Sequence, residues 1–213
     1  LKMCDKHKIK TKPGTIDIGI RYELLDDVME EINKYLYEGK FIGKPNPFND
    51  KVRTFCQNPS GFVTTEVYDE GLTLVNGHSC KDIKSSNTNL ALLVSLNLKN
   101  VDNPMEYSRK IAKNMNTLAG GNVLVQRLGD IWQGKRTWSE ELENNQVNPT
   151  LTSATAGDIG LAMPYRVLTD ILEFIKQMDK VAPGFANPAN LLYGPEIKFY
   201  SNKVSLSSRD AAI

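Results

Sequence analysis

Cys56 and His78 are the residues of this chain best suited to chemistry. A thiol becomes a nucleophile or redox centre when a nearby cation lowers its pKa, and Arg53 is the cation close by in sequence. His78 lies in the run Asn76-Gly77-His78-Ser79 and is the natural acid–base candidate, because imidazole titrates closest to neutrality. The two form a catalytic dyad only if the fold brings them together, which sequence spacing does not decide. Each has a plainer reading as well. Cys56 can be a small, inert core residue of a hairpin, and His78 a hydrogen-bonding loop residue. Arg21 and Arg53 fall near strand ends, where a guanidinium fork can hold a carboxylate or phosphate, with ordinary surface ion pairing as the alternative. Asn76, Asn87 and Asn89 suit either ligand edges or turn formation. Trp132 and Trp138 flank Gly134-Lys135-Arg136 and read as an aromatic-basic patch or as packing residues.

Composition narrows the classes of function. The chain has two histidines and three cysteines (Cys4, Cys56, Cys80), without a Cys-x-x-Cys or His-x-x-x-His pair, so a structural zinc site is not expected. An odd cysteine count at wide gaps argues against a secreted disulfide framework and for the reducing cytoplasm. Lys+Arg 26 against Asp+Glu 25 leaves a net charge of +1, which argues against nucleic acid as a partner. No apolar run reaches the ~18–20 residues of a membrane span, and the polar start lacks a secretory stretch. With 213 residues and 40% apolar side chains, the expectation is a soluble chain with room for a real core. No Gly-x-Gly-x-x-Gly follows a strand and no Walker-type loop exists; the pair Gly120-Gly121 follows a helical stretch instead.

The elements that must position these residues are legible in outline. Residues 1–14, with Lys2, Lys6, Lys8, Lys10 and Lys12 against Asp5, read as a flexible basic lead-in. Ile16, Ile18 and Ile20 alternate along a strand. Residues 24–37 carry helical spacing closed by Gly39. Residues 52–56 and 62–67 are expected to pair as a hairpin across the Asn58-Pro59-Ser60-Gly61 turn, and 72–76 follows as another extended piece. Residues 90–98 are nearly continuously apolar, as a central strand is. Asn103-Pro104 opens a helix running to about 118. Residues 123–132 fit strand or helix equally. Residues 137–157 read as loop, 164–178 as an amphipathic helix, and 191–206 as two extended pieces. Strands first and helices later, with tight turns between, give an α+β domain. Its sheet should be mostly antiparallel, with barrel-like closure as an option, and amphipathic helices should pack on it.

Five stretches add specificity: Asp17-Ile18-Gly19-Ile20-Arg21-Tyr22-Glu23; Arg53-Thr54-Phe55-Cys56-Gln57-Asn58-Pro59-Ser60-Gly61; Asn76-Gly77-His78-Ser79; Asn87-Thr88-Asn89-Leu90-Ala91-Leu92-Leu93-Val94; and Gln126-Arg127-Leu128-Gly129-Asp130. In this order, with Gly120-Gly121-Asn122, they resemble the uncharacterised FAD-dependent dehydrogenases, also called NAD(FAD)-utilising dehydrogenase-like flavoproteins. Two positions depart from that pattern. Cys56 is followed by Gln57-Asn58 where a second cysteine is common, which speaks against a role needing a second thiol such as a dithiol relay, and His78 stands where an apolar residue is expected.

The resemblance implies a domain inserted into a split Rossmann-type FAD domain. It would cover the flavin and shape the pocket of a small-molecule substrate. Residues 15–208 would be that α+β insert, 209–213 a truncated return to the FAD domain, and the FAD-binding domain of the same parent chain its partner. FAD would be held mainly by that other domain, with NAD(P)H as a reductant, so the isolated chain would be inactive while the parent is an oxidoreductase. The implied site is Cys56 and His78 as catalytic candidates. Arg21, Arg53, Asn76, Ser79, Asn87 and Asn89 would face flavin or substrate. A stand-alone, non-catalytic binding domain is the alternative expectation.

Overall fold

The computed structural model describes residues 2–12, 14–98, 101, 103–199 and 203–204. In chain order the elements begin with α1 (Lys2–Lys6), β1 (Thr11–Lys12), β2 (Ile16–Leu25), α2 (Asp26–Asn33), β3 (Ile42–Gly43) and β4 (Lys51–Asn58). Next come β5 (Phe62–Tyr68), β6 (Leu72–His78), β7 (Asn87–Leu96), α3 (Pro104–Leu118), β8 (Leu124–Arg127) and α4 (Leu128–Trp132). The last are α5 (Ser139–Glu143), β9 (Thr155–Ala156), α6 (Tyr165–Met178), β10 (Leu191–Lys198) and β11 (Lys203–Val204). Seven strands form one sheet in the order β3-β4-β7-β2-β10-β8-β9, antiparallel throughout except for the β8–β9 pair. The sheet is open, so the fold is α+β without barrel closure.

Period-two alternation builds the centre. Ile16, Ile18, Ile20, Tyr22 and Leu24 of β2 line one face with Leu90, Leu92 and Val94 of β7, all fully or almost fully buried. Helices cover that face: α6 contributes Val167, Ile171, Phe174 and Ile175, and α3 contributes Ile111, Ala112 and Met115. Apart from Ala112, each such side chain adds ~1.5–3 kcal/mol of hydrophobic stabilisation. The opposite face of β2 carries Asp17, Gly19, Arg21 and Glu23, and it is buried too. A smaller core of Val63, Val75, Val123, Val125, Val147, Leu191 and Tyr193 lies on that side.

Several elements differ from the sequence reading. The expected helix over 24–37 begins only at Asp26, because Leu24 and Leu25 remain in β2 against Thr88 and Asn87. Asp26 ends the strand by accepting hydrogen bonds from Ser60 N, Ser60 Oγ and Thr88 Oγ1. The expected hairpin between 52–56 and 62–67 does not form: β4 pairs with β3 and β7, while β5 pairs with β6 as a separate two-stranded sheet. The cause is local. Cys56 and Ser60 both take positive φ (48° each), Ser60 is tied to Asp26, and Gly61 N donates to Asn87 O, so the chain leaves the sheet plane. The ambiguous 123–132 stretch is both things in turn, β8 and then α4. Within the expected lead-in, α1 forms and β1 pairs with β11, and the expected return at 209–213 lies outside the described residues. Among the described residues no helix is long and apolar enough to cross a membrane.

One buried acid makes stability depend on pH. Asp170 of α6 is fully buried, and neither carboxyl oxygen has a hydrogen-bond partner of fixed protonation among the described residues. Burial, then the neighbouring Asp50 charge, pushes its carboxyl up to about 6, while Arg166 binds Asp50 at 2.5 and 2.9 Å. The folded state therefore holds this proton more tightly than the unfolded chain does. The associated stability is fully present below the ordinary carboxylate value of 3.8 and is lost as pH rises through about 6. Asp170→Asn should stabilise the fold by roughly 1–3 kcal/mol above about pH 7 and by almost nothing near pH 4. Urea unfolding at the two pH values measures this; an equal gain at both would assign the effect to packing.

Candidate functional site

Four of the sequence-marked segments meet at one buried arginine. Arg21 lies mid-strand in β2, not at a strand end, and is fully buried. Its Nη1 donates to Cys56 O at 2.7 Å and, more weakly, to Asn89 Oδ1 at 3.4 Å. Its Nη2 donates to Asn76 Oδ1 at 2.9 Å and to Glu196 Oε1 at 2.8 Å. Asn58 completes the cluster, with Nδ2 donating to Cys56 O at 2.9 Å and to Asn89 Oδ1 at 3.3 Å. Gly77 closes it: a Cβ there would stand 2.1 Å from Asn89 Oδ1 and 3.0 Å from Arg21 Nη1. Only glycine lets β6 approach so closely.

Cys56 occupies a bulge in β4, between the pairs Phe55–Ala91 and Asn58–Asn89. Its left-handed φ of 48° costs a non-glycine residue about 1 kcal/mol, and the surroundings over-determine it. The amide donates to Glu38 Oε1 at 3.1 Å while the carbonyl takes Arg21 and Asn58. The thiol is half-exposed, with Asn58 Nδ2 3.7 Å away. The bulge thus turns Cys56 out of the ladder with its backbone held on both sides.

Arg53, the cation near Cys56 in sequence, is engaged with Asp17 in the structure. It bonds Asp17 Oδ2 through Nη2 at 2.7 Å and Nε at 3.1 Å, with its guanidinium 4.8 Å from the Phe55 ring. Lys198 approaches the same ring at 5.6 Å and pairs with Glu196 at 3.0 Å. A continuous row therefore runs along the polar face from Asp17 through Arg53, Phe55, Lys198 and Glu196 to Arg21.

His78 ends β6 exposed, and no hydrogen bond links it to Cys56 among the described residues. Next to it, Ser79 Oγ is buried without a partner among the described residues. Asn87 donates to Glu23 Oε1 at 3.2 Å and to Asn148 O at 2.8 Å. Burial raises the Glu23 carboxyl above its usual range, against hydrogen bonds from Thr150, Tyr193 and Asn87. Asn89 is fully buried with Nδ2 unpartnered among the described residues. Away from this cluster, the Arg136 guanidinium stacks 3.9 Å from the exposed Trp138 ring; Trp132 is exposed too, and among the described residues it has no such cation contact.

The sequence reading missed Glu23 and Glu196 as parts of the site. Glu23 was within reach, since Asp17, Arg21 and Glu23 share the parity opposite to the isoleucines. Glu196 follows Gly194-Pro195, where the β10 register shifts between Tyr193 and Glu196 and brings Glu196 opposite Gly19.

An open antiparallel sheet with helices on its apolar face and a buried ionic seam on the other defines an α+β domain whose polar segments converge from distant parts of the chain. A comparison with protein families matches residues 18–198 to the FAD-dependent protein, C-terminal domain-like family, and the chain belongs to that family. The matched span holds the whole Arg21 cluster. No curated protein matches the chain.

Proposed function

We propose that this domain covers the flavin of an FAD-dependent oxidoreductase and shapes its substrate pocket, and that it does no redox chemistry alone. The observation that carries the reading is the convergence on Arg21 of Cys56, Asn76 and Asn89, with Asn58 bridging two of them, so that three segments join Arg21's own and all four resemble the flavoprotein pattern. Around it the chain offers a half-exposed thiol and an exposed imidazole, groups that suit the polar edge of a flavin or a small substrate. No strand–glycine-turn–helix cradle for a pyrophosphate lies among the described residues, so the residues present fit a flavin edge and not a whole dinucleotide. FAD, when bound, would supply the hydride chemistry; this chain would orient the substrate and exclude water.

The test has two arms. Incubated with FAD and gel-filtered, the chain alone should carry no stoichiometric flavin absorbance; a bound-flavin spectrum would refute the reading. Joined to an FAD-binding domain of its family, it should alter flavin fluorescence and accelerate reduction by NADH or NADPH. There, Cys56→Gly separates fold from chemistry. Relief of the left-handed strain should leave stability equal or up to ~1 kcal/mol higher, so any slowing of flavin turnover reports on the thiol.

A further inference from the structure

A cleft lies at the far end of β6 from Gly77. It has a volume of about 290 Å³ and is lined by Gly71, Leu72, Arg109, Lys113, Asn116, Thr117 and Gly121. Leu72 and Asn76 are four residues apart along β6, which separates the two places by ~13 Å of extended chain. Arg109 and Lys113 are one helical turn apart on α3 and therefore share a face. Neither has a carboxylate partner among the described residues, whereas their neighbour Lys110 pairs with Glu106 at 2.8 Å. The half-buried Arg109 is steadied by the Phe199 ring, 5.0 Å from its guanidinium carbon. Stacking of that kind orients a guanidinium while leaving its N–H groups free to donate.

The walls are built to keep the cleft open. Asn116 is fully used, accepting from Thr73 N at 3.0 Å and donating to Thr73 O and Asn122 O at 2.9 and 2.8 Å. These bonds fix β6 to α3 and to the chain beyond Gly121. Gly71 and Gly121 hold φ of 71° and 95°, and a Cβ at either would meet nothing within 4 Å, so the rim stands clear on both sides.

We infer that this cleft is a binding site for a small phosphate-bearing anion, with Arg109 and Lys113 as its charge partners. Two cations at one mouth, unpaired among the described residues, match the nearly double negative charge of a phosphate monoester. A guanidinium adds bidentate geometry that suits tetrahedral oxyanions. The proposal stands on this cleft alone and owes nothing to the flavin reading.

Isothermal titration of the chain at low ionic strength tests it, with inorganic phosphate, pyrophosphate and succinate as probes. Phosphate or pyrophosphate should bind, and more tightly than succinate. Arg109→Gln and Lys113→Gln should each weaken binding about tenfold or more, as loss of a charge-assisted hydrogen bond does. Lys110→Gln, on the same helix but engaged with Glu106, should leave it almost unchanged. All three positions are on the helix surface, so unchanged circular dichroism confirms that the variants fold. The proposal is overturned if neither phosphate probe binds, if succinate binds as tightly, or if Lys110→Gln costs as much as the other two.

Discussion

Arg21→Met should remove about 3–5 kcal/mol of stability, a large share of what a domain of this size possesses. Arg21 and Glu196 are both fully buried and pair at 2.8 Å. Removing the guanidinium leaves a carboxylate in the sheet with Lys198, 3.0 Å away, as its one remaining cation among the described residues. It also strips a donor from Cys56 O and from Asn76 Oδ1. The cost is that of stranding these groups and not the net worth of the pair, because two charges buried together gain little over a well-packed apolar pair. Arg21→Met combined with Glu196→Leu should therefore be more stable than Arg21→Met alone. Urea midpoints of the wild type, the single and the double variant measure this. If the double variant is as unstable as the single one, the stranded charge is not the source of the loss.

Gly19→Ala should be comparably damaging, by about 3 kcal/mol or more, for a purely steric reason. A methyl there would stand 1.8 Å from Leu92 O, 2.8 Å from Leu92 C and 3.0 Å from Leu93 Cα. All three are backbone atoms of β7, so no side-chain rotation relieves the clash. The strands must separate within a ladder that runs unbroken from Ile16–Leu96 to Leu25–Asn87. Gly157→Ala is the contrasting case, since its close neighbour at 2.7 Å is the end of the flexible Leu124 side chain. Thermal melts of the two variants should differ widely; a Gly19→Ala melt close to that of Gly157→Ala would mean that the β2–β7 pairing is looser than the ladder implies.

The helices and the apolar half of the sheet were legible because one physical rule governs them. Ile171 and Ile175 in α6, or Ile16, Ile18 and Ile20 in β2, repeat at the period of their element and face one core. The path of the chain after Cys56 was not legible. Its turn residues announce a reversal but not its direction, and the departure from the sheet is set by tertiary bonds from Asp26 and Asn87. The candidate site divides in the same way. The motif residues Arg21, Cys56, Asn76 and Asn89 do meet, yet the charge that balances Arg21 comes from Glu196, 175 residues along the chain. Arg53, near Cys56 in sequence, is bound to Asp17, because the sheet register sets both on one face.

The seven-stranded sheet ends on β3 at one side and β9 at the other, each of two residues. Strands this short give another chain little ladder to extend along their own outer edges. Long β2 and β7 sit in the middle, out of reach of such additions. The sheet is in effect selvedged. Its capacity to associate lies in side-chain surfaces, where shape and charge select what binds, and a foreign strand has little purchase on it.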